Sequence, residues 1–208
     1  MAGDGNESYV LGIDLGTTTV KVALVDFHTK HVVQTKSRET HASVVSELGS
    51  AGNEQDVGKI LTALQFCVSG LPKESLTRVV KIGVSGQMHG VMLWKSGRAW
   101  NRNSFGRLEV DVASQLFTWQ DGRCKGEFLE SIPQPRSHIK LATGLGCVTL
   151  LWLHRHQPAF VEGYDCAGTV QDFVVAVLCG LDKPVMSIQN AASWGYFDTI
   201  EKTWNVDM

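Results

Sequence analysis

Gly12-Ile13-Asp14-Leu15-Gly16-Thr17-Thr18-Thr19-Val20-Lys21 is the stretch that decides how this 208-residue chain is read. An apolar run from Tyr9 to Ile13 leads into it, and the alternating run Val20-Lys21-Val22-Ala23-Leu24-Val25-Asp26 leads out. The pattern predicts two strands joined by a tight turn. The turn pivots on Gly16, where glycine admits backbone angles that other residues resist. Three threonines follow, and their hydroxyls with the adjacent backbone N–H groups suit an anion such as phosphate. Asp14, at the end of the first strand, is placed to hold a hydrated magnesium ion beside that anion. An ordinary hairpin with threonine in its strands accounts for the same residues, so the stretch alone leaves both readings open.

Outward from this hairpin, composition limits the alternatives. With 43% of its residues hydrophobic and 19% charged, the chain is long enough for one large domain with a full core. Its net charge of −2 and the lack of any lysine or arginine run argue against nucleic-acid binding through a basic face. Met1–Ser8 is polar and acidic, reads as disordered, and has neither the basic nor the apolar part of a signal peptide. The most apolar run, Phe173 to Leu178, is far short of the roughly 20 residues that span a bilayer, so no membrane partner is expected. Five cysteines without a C-x-x-C pair suit reduced thiols in a cytoplasmic protein better than a zinc site or disulfide framework. No G-x-x-x-x-G-K-[ST], H-E-x-x-H or G-x-S-x-G occurs. Gly144-Leu145-Gly146 starts like a dinucleotide fingerprint but lacks its third glycine and a preceding strand.

The remaining elements follow from periodicity and punctuation. His28 to Thr40 reads as a turn and an edge-like third strand, and His41 to Gly52 as a surface loop. Val57, Ile60, Leu61, Leu64 and Val68 keep helical spacing, with Asn53 as the expected N-cap and Glu54 and Asp56 in the first turn. Val79–Val84 is a short apolar strand that feeds Ser85-Gly86-Gln87-Met88-His89-Gly90, and Val91–Trp94 is another strand. A loop at the carboxyl end of a parallel strand is where open α/β sheets place ligands. Leu108, Val112 and Leu116 predict a helix over 107–117. Cys124–Gln134 and Val148–His154 read as helices, and Phe173–Leu181 as an apolar segment ended by Gly180. Trp119-Gln120-Asp121-Gly122-Arg123 combines an indole that can pack on a sugar face with a carboxylate and a guanidinium that can fix hydroxyls. A core tryptophan beside a surface ion pair fits the same residues.

Asp14-Leu15-Gly16-Thr17-Thr18-Thr19-Val20-Lys21 resembles the first phosphate motif of the FGGY carbohydrate kinases. Later segments resemble the same family in the same order: Ser85–Gly90, the W-x-D-x-R pattern at 119–123, an aspartate-led helix start at Gln171-Asp172, and Asn190–Asp198 followed by Trp204. The resemblance implies an α/β fold, a ribonuclease-H-like domain of the actin and hexokinase superfamily with a mixed sheet flanked by helices, over 9–208. It implies that Gly16, Thr17, Thr18, Thr19 and Lys21 hold the phosphates of ATP and that Asp14 holds Mg²⁺ through water. Gln87, Met88, His89, Trp119 and Asp121 would contact a ketose sugar, with Arg123 supporting their loop and Gln171 and Asp172 capping and orienting. Within the family, the resemblance is nearest to the animal kinases that phosphorylate sedoheptulose, which act in the pentose phosphate pathway. A xylulose or ribulose kinase, or a non-catalytic sugar-binding form, is the alternative. The family's catalytic aspartate and adenine-holding domain are expected beyond Met208, so no residue here is assigned as the base.

Overall fold

The computed structural model describes residues 7–205. In chain order its elements are β1 (Tyr9–Leu15), β2 (Thr19–Asp26), β3 (Val32–Glu39), β4 (Ser43–Val44), β5 (Glu54–Gln55), α1 (Val57–Ser69) and α2 (Lys73–Leu76). Then come β6 (Val79–Gly86), β7 (Met92–Trp94), β8 (Trp100–Arg102), β9 (Leu108–Val110), β10 (Leu116–Phe117), α3 (Gly126–Ser131) and α4 (Gly146–His156). The last are α5 (Pro158–Val161), β11 (Cys166–Gly168), α6 (Val170–Cys179), α7 (Ile188–Ala192), β12 (Phe197–Asp198) and β13 (Thr203–Trp204). Where length suggests one large domain, the chain packs as two compact units. Among the described residues, unit 1 comprises 7–42, 58–86 and 102–109, and unit 2 comprises 43–57, 87–101 and 110–205.

Unit 1 is a mixed four-stranded sheet ordered β3-β2-β1-β6, antiparallel except for the parallel β1–β6 pair. Alternation along β1 and β2 sends Tyr9, Leu11, Ile13, Leu15, Val20, Val22 and Leu24 to one buried face. Helix α1 contributes buried Ile60, Leu61, Leu64 and Cys67, and the Cys67 thiol donates to the Val20 carbonyl at 3.7 Å. The helix begins at Val57 and not at Asn53, because Glu54-Gln55 is drawn into a strand that pairs with β10. Residues 1–6 of the expected disordered N-terminus lie outside the described residues. Glu7 is ordered: its carboxylate accepts from Tyr9 Oη and from Arg78 Nη1.

The helix expected over 107–117 is absent, and strands stand there instead. The cause is turn chemistry. The Asn103 side chain accepts from the N–H groups of Phe105 and Arg107, and Gly106 takes φ +74°. Together they close a hairpin between β8 and β9. Gln65 then takes both main-chain groups of Leu108, at 2.8 Å each.

Unit 2 is built from short strands and helices around two apolar clusters. One centres on Val148, Leu145, Ile132 and Tyr196, the other on Val91, Leu93, Phe117, Leu153 and Trp194. Trp94 and Phe173 are fully buried and meet edge-to-face at 5.4 Å. Helix α6 has a complete capping box between Thr169 and Asp172 and ends at Gly180 with φ +63°. Among the described residues, no helix is long and apolar enough to cross a membrane.

Candidate functional site

In unit 1 the site is written by strand register. Asp14 stands opposite Lys21 across β1–β2, Lys21 opposite Ser37 across β2–β3, and Asp14 opposite Ser85 across β1–β6. Directly opposed residues share a sheet face. Ser37, Lys21, Asp14 and Ser85 therefore form one polar row on the face away from the apolar one. The neighbouring row is small: Thr35, Ala23, Gly12 and Gly83. Both rows line a pocket of about 700 Å³, so a carboxylate and an ammonium sit side by side above a floor of little more than backbone.

The turn beyond Asp14 is closed by the Gly16 N–H donating to the Thr19 carbonyl at 3.2 Å. Gly16 does not adopt a positive φ, which corrects the expected reason for a glycine here. A Cβ at Gly16 would stand 2.8 Å from the Thr19 carbonyl oxygen, so the cause is close approach. Thr40 pins the tip by donating its N–H and its hydroxyl to the Thr18 carbonyl. Thr18 is exposed, and Thr17 and Thr19 are half-buried.

In unit 2 the expected sugar residues separate into two kinds. Met88 and Trp119 are exposed, at 55% and 45%, and His89 is half-buried. Gln87 and Asp121 are buried. Asp121 has no exposed surface, and its carboxylate accepts from Arg123 Nε (2.7 Å) and Nη2 (2.9 Å), the Arg123 N–H (3.1 Å) and the Asn53 N–H (2.8 Å). With its acceptor positions taken, Asp121 cannot reach a sugar hydroxyl, and the expectation of direct contact is corrected to a positioning role. Arg123 also donates to Glu54 at 2.8 Å. Burial by itself would lower the guanidinium pKa, but its hydrogen bonds and charge pairing with Asp121 and Glu54 outweigh that and raise it.

The unforeseen centre of this arrangement is β5, Glu54–Gln55, with Asn53 just before it. Asn53 binds Asp121 through its N–H and accepts from the Thr118 hydroxyl at 2.7 Å, while Thr118 N–H donates to the Asn53 carbonyl. Glu54 holds Arg123, and Gln55 accepts from Gln87 Nε2 at 2.9 Å. One short strand thus carries both the loop of Gln87–Gly90 and that of Trp119–Arg123. The first loop also packs against the end of β10, since a Cβ on Gly90 would lie 2.6 Å from the Phe117 carbonyl oxygen. Asn53 and Glu54 read in sequence as a helix start, which concealed this role.

A second support comes from Thr143-Gly144. The Thr143 hydroxyl donates to the Asp121 carbonyl at 2.7 Å, and Gly144, at φ +82°, packs so closely that a Cβ would lie 2.1 Å from the Trp119 carbonyl oxygen. Burial, reinforced by the Asp121 charge, pushes the neighbouring Cys124 thiol up to about 12, which leaves it inert as a nucleophile.

His89 has φ +68°, a conformation that side-chain-bearing residues rarely adopt. Its ring Nδ1 lies 2.8 Å from the Ser193 carbonyl oxygen. Gln87 Oε1 is buried with no hydrogen-bond partner among the described residues. A buried acceptor left in this state is satisfied by a water or a ligand hydroxyl. Gln171 Nε2 donates to the Gln87 carbonyl at 3.2 Å, and Asp172 forms the capping box of α6, so both cap and orient.

The chain is 50% identical over 208 residues to sedoheptulokinase of Homo sapiens, covering 95% of this chain and 44% of that protein. To the Mus musculus sedoheptulokinase it is 49% identical, covering 95% of this chain and 43% of that protein. The chain therefore spans less than half the length of these relatives. In fold it is similar to the solved xylulose kinase of Rhodospirillum rubrum, with a TM-score of 0.75 at 21% identity, over 96% of this chain and 39% of that one. Residues 9–208 match the N-terminal domain of the FGGY family of carbohydrate kinases, and the chain belongs to that family.

Proposed function

We propose that this chain supplies the phosphate-side turn and the ketose wall of an ATP-dependent kinase that converts sedoheptulose to sedoheptulose 7-phosphate. The observation that carries the reading is the 50% identity to a sedoheptulokinase across 95% of the chain, a span that includes every residue of both sites. The geometry supports it. Lys21 and the exposed edge of the 16–19 turn offer donors to terminal phosphates. Asp14 offers one carboxylate beside them, which suits Mg²⁺ because that ion keeps several waters and takes few protein ligands. Among the described residues no cluster of three acidic, histidine or cysteine side chains forms a self-contained metal site, so the remaining ligands would come from nucleotide and water.

On the sugar side, Trp119 offers an aromatic face and Met88 an apolar edge. The imidazole of His89 offers an acceptor for a hydroxyl, and Gln87 lies buried behind it. The carboxylates around this wall are engaged: Asp121 with Arg123, Glu54 with Arg123 and Ser46, Asp172 with Thr169 and Asn190. None is placed to take the proton from a sugar hydroxyl. This favours, for the 208-residue chain by itself, ketose binding without turnover. Calorimetric titration with sedoheptulose, xylulose and ribulose, paired with an ATP-consumption assay, tests the reading. Tighter binding of sedoheptulose is expected. Preference for a five-carbon ketose would reassign the substrate, and turnover by this chain would show that a base is present.

A further inference from the structure

The strained backbone of His89 persists because several elements of unit 2 hold it. Gly90 N–H closes back on the Met88 carbonyl at 2.8 Å, and Gln171, on the first turn of α6, grips the Gln87 carbonyl. The ring itself is fixed from a different direction. A carbonyl oxygen only accepts, so the 2.8 Å contact with Ser193 requires the proton on Nδ1 and, in the neutral imidazole, leaves Nε2 as an acceptor.

Ser193 is in turn held in place. It follows the last residue of α7, its N–H is bonded to the Gln189 and Asn190 carbonyls, and its hydroxyl donates to the Asn190 carbonyl at 2.8 Å. Asn190 reaches the base of α6: its Nδ2 donates to Asp172 Oδ1 at 3.0 Å and to Thr169 Oγ1 at 3.2 Å. Asp172 is only 3% exposed, and Oδ2 accepts from both the N–H and the hydroxyl of Thr169. The capping box with Thr169 uses one carboxylate oxygen of Asp172. Here the second carboxylate oxygen is spent on a separate helix whose far end touches His89. Burial raises the Asp172 pKa against the hydrogen bonds from Thr169 and Asn190, a cost that a purely local cap on a surface helix avoids.

We propose that Asp172 and Asn190 are positioning residues for His89. Through α7 and the Ser193 carbonyl they hold its imidazole in the Nδ1-protonated tautomer, with Nε2 presented as an acceptor to a substrate hydroxyl. The substrate half of this statement rests on the ketose-binding reading above; the tautomer half does not. A site that presents a fixed acceptor binds a hydroxyl-bearing sugar in one orientation, whereas an imidazole in two tautomers would divide its population between acceptor and donor.

The test is the ring nitrogen spectrum of His89 in the 208-residue chain, recorded at about pH 8.5, roughly two units above the ordinary imidazole pKa. The wild type is expected to show Nε2 unprotonated and Nδ1 protonated. In Asn190→Ala, and more weakly in Asp172→Asn, the His89 signals move toward a tautomer mixture while the other histidines stay in place. Sedoheptulose affinity, measured by calorimetry, falls about tenfold in Asn190→Ala, the loss expected of one misplaced hydrogen bond. A wild-type Nε2–H tautomer overturns the proposal without any variant, which keeps it falsifiable should Asn190→Ala fail to fold. An unchanged His89 spectrum in two folded variants overturns it as well. If the wild type binds no ketose, the functional reading fails, and the nitrogen spectrum still decides whether the brace exists.

Discussion

The two units carry their candidate sites by different means. In unit 1, Asp14 and Lys21 are adjacent because β1 and β2 pair in one register, and the polar row follows from alternation. In unit 2, the positions of Trp119 and His89 depend on side-chain bonds from residues distant in sequence: Asn53, Glu54, Thr143, Asn190. A site set by register tolerates loss of its functional side chains, since the backbone ladder remains. A site set by side-chain braces loses its geometry along with its stability.

The sharpest way to break the contrast is Arg123→Ala. It leaves the carboxylate of Asp121 fully buried without its partner, and an uncompensated buried charge costs about 3–5 kcal/mol. Urea unfolding followed by tryptophan fluorescence should show unit 2 weakened by that amount. A loss below about 1 kcal/mol would mean that the pair is not what holds the loop.

Gly144→Ala is next. The positive φ and the overlap with the Trp119 carbonyl together cost about 2–3 kcal/mol, and the Trp119 environment should shift with it. His89→Gly acts in the opposite direction. It removes a left-handed strain of about 1 kcal/mol, so thermal stability should rise slightly while ketose binding is lost. Equal losses of both would indicate that the ring contact to Ser193 outweighs the strain.

In unit 1, Lys21→Ala should alter stability by less than about 0.5 kcal/mol, because the side chain is exposed on a paired strand, while nucleotide-dependent stabilisation disappears. The smallest effect concerns pH. The Ser96 N–H and hydroxyl, and then Lys95, hold the Asp165 carboxyl below its ordinary value of 3.8. A lowered folded-state pKa gives stability that is present above 3.8 and lost as pH falls toward the folded value. The stability difference between wild type and Asp165→Asn should therefore be present at neutral pH and close progressively in acid.

The same contrast explains what the sequence disclosed. The hairpin, the third strand, β6 and the core helices α1 and α4 are legible because period and punctuation are local, whereas α6 reads from its residues only as an apolar segment. The Asn103 turn was hidden, since Leu108, Val112 and Leu116 imitate a helix until Gly106 and the Asn103 side chain are seen to close a hairpin. Asn53 reads as an N-cap and Glu54 as a first-turn acid because their partners, Asp121 and Arg123, lie 68 and 69 residues away. The motif at 119–123 does not disclose how its residues divide between surface and interior, which the packed structure decides: Trp119 outward, Asp121 inward.

β6 ends the four-stranded sheet, and no strand lies beyond it among the described residues. Its outer margin carries half-exposed Val80 and Ile82, with Lys81 as the single charged residue along it. Proteins ordinarily guard such margins with proline, bulges or several charges. Here one lysine stands guard among the described residues, so the main-chain groups of this margin stay open to pairing with a further strand.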